Sequence, residues 1–349
     1  MQSVWLSIIV VTLPPTLHSI AVDEFYPFGY ENGDAKMELR GDVVSPPIAF
    51  PSTFNYFTAG HNRCYVSDNG YIVLSRSASQ FIPKNFPTNL AFISPFWADS
   101  DVRKGGAIWY RLTTEETIKN RATYDVKTFF PKMTNFQASW VIVATWYDLP
   151  FYGCSSLGGC LKRNTFQAVM ISNDSNSFAI FNYGKITWTT GTSSRGNTQT
   201  GLGGTAAQVG LNAGDSVRFF QVDVGFTPEV VNIDEMSNVG IPGVSVFRID
   251  DSEVLQPCQE GLNPADIKIR VYRQDPEDWY EGQHNISWDT DAVELENTDT
   301  EEADGRLSWT SELLQEGVQR SAGWAQISLE TQEFVHAIRV TSATVQTDQ

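Results

Sequence analysis

Three runs constrain this chain more than any others: ASWVIVATWY at residues 138–147, FQAVMI at 166–171 and FAIFNY at 178–183. Each carries apolar or aromatic side chains at both odd and even positions, so neither parity is left for water. A short buried helix is the competing reading, but the β-branched and aromatic content favours strands. Strands apolar on both faces are central ones, covered on both sides. Most of the chain from Phe25 onward therefore reads as β.

The local signals agree. CYVS and YIVLS flank Asp68-Asn69-Gly70, where Asn-Gly supplies the positive φ that a tight, strand-matched turn requires. The 26 Gly and 16 Pro are spread along the length, which suits many short elements and turns, and 41% hydrophobic residues in 349 can bury one large core or two ordinary ones. One short helix is expected, at residues 114–119 (TEETIK) with Thr114 as its cap. The glycine-rich stretch 201–215, GLGGTAAQVGLNAGD, matches neither the phosphate-loop order nor the dinucleotide fingerprint and reads as a turn-rich connection.

The ends and the charge divide the chain. Residues 1–21 read as a secretory signal: a short apolar core, VWLSIIVVTL, then two prolines and a small-residue site at Ala21, although no Lys or Arg precedes the core. Ten apolar residues do not span a bilayer, and no later run does, so the product is expected to be secreted. Residues 22–258 form the large β region and 259–349 a second, smaller one. In the latter, DIKIRVYR alternates cleanly as a strand with one wet face, and HNISW, RLSW, AQISLE and EFVHAIRV continue the pattern. This tail, a β-sandwich or one cut short by the end of the sequence, holds 19 Asp plus Glu against 6 Lys plus Arg, a net of −13, leaving −4 of the total −17 for the rest. Such a surface argues against nucleic acid and anionic lipid, which select basic patches, and suits a basic partner.

Four cysteines in an oxidising compartment imply two disulfides. Cys154 and Cys160 bracket SSLGG, a segment able to close a small loop, which leaves Cys64–Cys258 by elimination. Zinc is the alternative use, but no Cys-x-x-Cys knuckle is present. The acceptors for N-glycosylation are Asn173, in a turn, and Asn285, inside a strand.

The search for chemistry is short. The four His are scattered, and neither His-Glu-x-x-His nor Gly-x-Ser-x-Gly occurs. In FISPFWADSDVR (92–103) a buried strand is expected to run out into solvent at Asp99, leaving Asp99 and Asp101 solvated or salt-bridged. The two carboxylates could also offer oxygens to calcium, although the EF-hand spacing is absent and Arg103 and Lys104 follow at once. A glycan hydrolase using Asp99 or Asp101 with a distant acid is the enzymatic alternative, and a structural spacer with no partner of its own is another. Arg40-Gly41-Asp42 is the tripeptide that many integrins bind, set in a loop-like context.

Several words carry a family likeness: FYPFGYENGD (25–34), NGYIVLS (69–75), SPFWADSD (94–101), ATWYDLPFY (144–152), NTFQAVMI (164–171), FAIFNYGKITWTTG (178–191) and the glycine-rich stretch. In this order they resemble the NIDO domain, the nidogen-type extracellular module of matrix and adhesion proteins such as Mesh, α-tectorin and NIDO-bearing epithelial mucins. The tail is similar to the β-domain that follows NIDO in Mesh-like relatives. The resemblance implies an all-β sandwich, a place in the extracellular matrix or at the cell surface, and attachment to matrix or junctional proteins, with no catalytic residue carried over; no cofactor is expected beyond the calcium that Asp99 and Asp101 could hold. The chain shows none of the Cys-rich modules of such relatives, so it is either a short secreted member or part of a longer one.

Overall fold

The computed structural model describes residues 19–257 and, beyond them, strands at 268–273, 286–287, 325–330 and 335–339. The chain divides into two compact units, Met1–Gly261 and Leu262–Gln349. In the first, the strands are β1 (Ala35–Lys36), β2 (Ile48–Tyr56), β3 (Ala59–Ser67), β4 (Tyr71–Leu74), β5 (Phe92–Trp97), β6 (Ala107–Thr113), β7 (Trp140–Leu149), β8 (Asn164–Ser172), β9 (Ser177–Lys185), β10 (Gln208–Asn212), β11 (Phe219–Gln221) and β12 (Val244–Arg248), with helix α1 (Glu116–Phe129) between β6 and β7. They form two six-stranded sheets, in the orders β1-β6-β7-β8-β9-β12 and β11-β10-β5-β4-β3-β2, and every pairing is antiparallel.

The doubly apolar runs become the middle of the first sheet, and their alternation resolves into two cores. Trp140, Ile142, Ala144 and Trp146 of β7 join Phe166, Ala168 and Met170 of β8 and Ala179, Phe181 and Tyr183 of β9 against Ile72 and Leu74 of β4 and Ile93 of β5. This is the layer between the sheets. The opposite parity, Val141, Val143, Val169, Ile171, Phe178 and Ile180, packs beneath Ile118, Ala122 and Val126 of α1. At about 25 cal/mol per Å² of apolar surface removed from water, two covered faces make these strands the main source of stability. The unit is thus an all-β sandwich with one helix on its outer face.

Two local expectations are corrected. The helix starts at Glu116 and runs to Phe129, ten residues past the expected end, and Glu115 rather than Thr114 precedes it, with no side-chain cap. Its apolar stripe, Ile118, Ala122 and Val126 at i, i+4 and i+8, contains an alanine and weak helix formers, which conceals it. The glycine-rich stretch is also not all turn. It holds β10, fully buried between β5 and β11, where Gly210 (φ +148°) lets Phe220 O approach to 2.2 Å of where a Cβ would stand. The β10–β5 register shifts between Gln208 and Gly210, opposite Pro95, so this irregularity absorbs the N–H that a proline in a central strand cannot supply.

The second unit holds β13 (Lys268–Arg273), β14 (Ile286–Ser287), β15 (Ala325–Glu330) and β16 (Val335–Arg339), in the sheet order β14-β13-β15-β16. RLSW lies outside the described residues, as do residues 1–18 of the expected signal.

Candidate functional site

Three stretches that stand apart in the sequence meet at one end of the sandwich. The β3–β4 turn, Asp68-Asn69-Gly70, joins Ser67 to its partner Tyr71 and is covered by the Arg40-Gly41-Asp42 loop and the Asp99-Ser100-Asp101 segment that follows β5. Asn69 is the hub. Its Nδ2 donates to Asp68 Oδ1 at 3.0 Å and Asp42 Oδ1 at 3.2 Å, and its Oδ1 accepts from Ser100 N at 3.1 Å. Ser100 Oγ returns to Asp68 O at 2.8 Å. Gly70 has φ +80°, and a Cβ there would lie 1.9 Å from Phe96 O, so only glycine lets the turn lie against β5.

The expectation that Asp99 and Asp101 emerge into solvent is wrong: Asp68 is 0% exposed, Asp99 and Asp101 3% each. The covering loops, invisible to a strand-by-strand reading, close over the strand end. Asp101 is satisfied, because Arg103 Nε and Nη2 donate to its two oxygens at 2.6 and 3.0 Å while the Arg103 N–H also reaches Oδ1 at 3.2 Å. Asp68 and Asp99 are not: Oδ2 of each is buried with no hydrogen-bond partner. Burial lifts Asp68 to about 7 against hydrogen bonding from the Val43 and Asp42 backbone, with the Asp42 and Asp99 charges adding to the rise. Asp99 also rises to about 7, chiefly by burial, against the Ser193 hydroxyl, with Asp42 and Asp101 adding to the rise. Among the described residues no three His, Cys, Asp or Glu side chains form a metal-ligand group.

A second surface escaped the sequence reading. Phe28, Gly29, Tyr30, Glu31, Gly106, Ala107, Trp109, Tyr147 and Asp148 line an open cleft of about 400 Å³. Tyr30 is 69% and Tyr147 42% exposed, and the Tyr30 ring meets Trp109 edge-on at 4.5 Å. The loop behind it is held from within. Buried Asp34 accepts from Gly29 N at 2.7 Å and is ion-paired with buried Arg111. The only trace in the sequence is an aromatic-rich turn, FGYENG, which composition alone does not mark as exposed.

The Arg40-Gly41-Asp42 loop is exposed, with Arg40 Nε 3.0 Å from Glu38. Asn173 stands half-buried in the β8–β9 turn, its Oδ1 accepting from Asn176 N at 2.6 Å; Asn285 lies outside the described residues. Cys154 and Cys160 are joined in a disulfide. Cys64, paired with Cys258 in the sequence reading, instead carries a free thiol buried in β3, and Cys258 lies outside the described residues.

The model of the nidogen-like domain matches residues 62–251, spanning the turn, both buried carboxylates and most of the sandwich. This chain belongs to the nidogen-like (NIDO) domain family. As a NIDO protein it is extracellular, and no helix among the described residues is long and apolar enough to cross a membrane. The NIDO chain is 39% identical to alpha-tectorin of Gallus gallus over 77% of its own length and 12% of that protein, and 42% identical to alpha-tectorin of Homo sapiens over 66% and 10%. With Nidogen-1 of Mus musculus it shares 33% identity over 70% of its length and 20% of that protein. The matched segment is thus a small part of each relative. No solved structure matches the chain.

Proposed function

We propose that this NIDO protein attaches to matrix or junctional proteins by direct protein–protein binding and catalyses no reaction. The observation that carries the reading is the aromatic cleft. Exposed Tyr30 stands on a loop pinned by the buried Asp34–Arg111 pair and exposed Tyr147 on strand β7 opposite it, and rigid amphipathic rings suit anchor positions because they lose little entropy on binding. Glu31 and Asp148 line the cleft, with Lys36 Nζ 5.3 Å over the Trp109 ring of its wall, and two acidic side chains against one basic one suit a Lys- or Arg-bearing segment of a basic partner. Retrieval of matrix proteins on the immobilised full chain tests this: binding above background is expected, reduced at least tenfold by Tyr30→Ala with Tyr147→Ala. A spacer without a partner retrieves nothing.

The enzymatic alternative, which needed Asp99 or Asp101 with a distant acid, keeps only Asp99 at this end, because the Asp101 carboxylate is occupied by Arg103. A second attachment reading is favoured by the exposure of Arg40, Gly41 and Asp42: integrin binding through this loop, with Asp42 supplying the carboxylate. Cells should then adhere to the native chain and lose adhesion to Asp42→Glu; equal adhesion sinks that reading.

A further inference from the structure

The loop that leads from β7 to β8 carries an apolar feature that the aromatic cleft does not use. Leu157 is 88% and Leu161 82% exposed, the highest values among the large apolar side chains of the described residues. Both are held out by a closed ring. The Cys154–Cys160 disulfide joins its ends, Cys160 N donates to Ser155 O at 3.1 Å, and Ser155 N donates to Thr198 O at 2.7 Å. Gly159 lies so close to Thr198 O that a Cβ there would stand 2.1 Å away, which seats the ring on the loop beside it. Cations surround this tip in a series of direct contacts. Lys162 follows Leu161, and Arg163 donates Nη1 to Asp148 O at 3.1 Å and Nη2 to Lys104 O at 3.2 Å. Arg103, next to Lys104, stands 5.7 Å over the ring of half-exposed Tyr152, two residues before Cys154. Among the described residues only Arg103 of these four has an ion-pair partner, the buried Asp101.

We propose that this tip docks peripherally on a lipid bilayer bearing anionic headgroups. Leu157 and Leu161 enter the boundary between headgroups and acyl chains, and Lys104, Lys162 and Arg163 meet the anionic groups above it, with Tyr152 at the interface. The pairing of leucine with lysine decides for lipid over protein, because the core of a protein–protein patch is depleted of lysine. The acidity of the chain as a whole, which in the sequence argued against anionic lipid, sits mainly in residues 259–349. At about 0.15 M salt charges are screened beyond ~8 Å, so the local cations govern what this surface meets.

The test is flotation of the full chain with phosphatidylcholine vesicles containing about one-third phosphatidylserine, at about 0.15 M salt. Co-flotation is expected, at least fivefold above that with phosphatidylcholine alone and several-fold weaker at about 0.5 M salt. Leu157→Ser with Leu161→Ser should lower it at least fivefold, and so should Lys104→Gln with Lys162→Gln. Tyr30→Ala with Tyr147→Ala should leave it within about twofold, which separates this surface from the cleft. The replaced leucines and lysines are exposed, so these variants should melt with the parent and a loss of docking is not a loss of fold. Absence of the chain from the floated vesicles overturns the proposal. So does flotation that survives replacement of both leucines, which would mark a purely ionic contact open to any polyanion.

Discussion

Gly70 and Asp34 each hold a loop in place by a means that substitution exposes. An alanine at residue 70 would need both a left-handed backbone and room for a methyl group where Phe96 O stands 1.9 Å away. Gly70→Ala should therefore remove about 3 kcal/mol or more, a fall in Tm of roughly 6–12 °C for a unit of this size, read by calorimetry. Asp34 is different. Its burial outweighs the attraction of Arg111 and raises its carboxyl above the ordinary range, so the pair is maintained at a desolvation cost. Asp34→Ala leaves a buried guanidinium alone and should destabilise by about 3–5 kcal/mol in urea unfolding. The paired change Asp34→Leu with Arg111→Met should recover most of that loss, because removing both charges removes the penalty.

Elements show what a linear reading can and cannot reach. The middle strands of the first sheet were legible because two packed faces write two apolar parities into one run, and the β3–β4 turn was legible because Asn-Gly carries its own backbone requirement. Helix α1 was legible only in its first turn. Its buried stripe depends on Ala122, which lies against the sheet for reasons of space rather than hydrophobicity. Ala122→Leu should cost about 1–3 kcal/mol by overpacking, while Tyr124→Leu, on the exposed face, should stay within about 0.5 kcal/mol of the parent; thermal unfolding of both variants checks the orientation of the helix. Strand β10 was concealed by the glycine that its close approach requires. The acidic cluster was half legible: Asp99 was visible as a carboxylate beside a strand end, but its burial and its partner Asp68 come from chain folding across some 30 residues. The aromatic cleft had no signal, since exposed and buried tyrosines look alike in sequence.

At the scale of the whole molecule, the buried carboxylates set a pH dependence. Burial holds Asp68 and Asp99 near 7 when folded, against an ordinary value of 3.8. Between these limits the folded chain holds more protons than the unfolded one, so stability falls as pH rises from about 4 to about 7 and levels off above. Urea midpoints measured across that range should show the decline, and the Asp68→Asn, Asp99→Asn variant should flatten it.

Cys64, in the middle of β3 between Ile48 and Leu74, gives the sandwich a clock. Its thiol is fully buried and its pKa is driven well up by that burial, so a water-borne alkylating agent must wait for the sheet to part. In the native chain the labelling of Cys64, taken as the difference from Cys64→Ser, counts only openings large enough to separate three paired strands. The slow rate at which iodoacetamide accumulates there would then report the free energy of opening the NIDO sandwich itself.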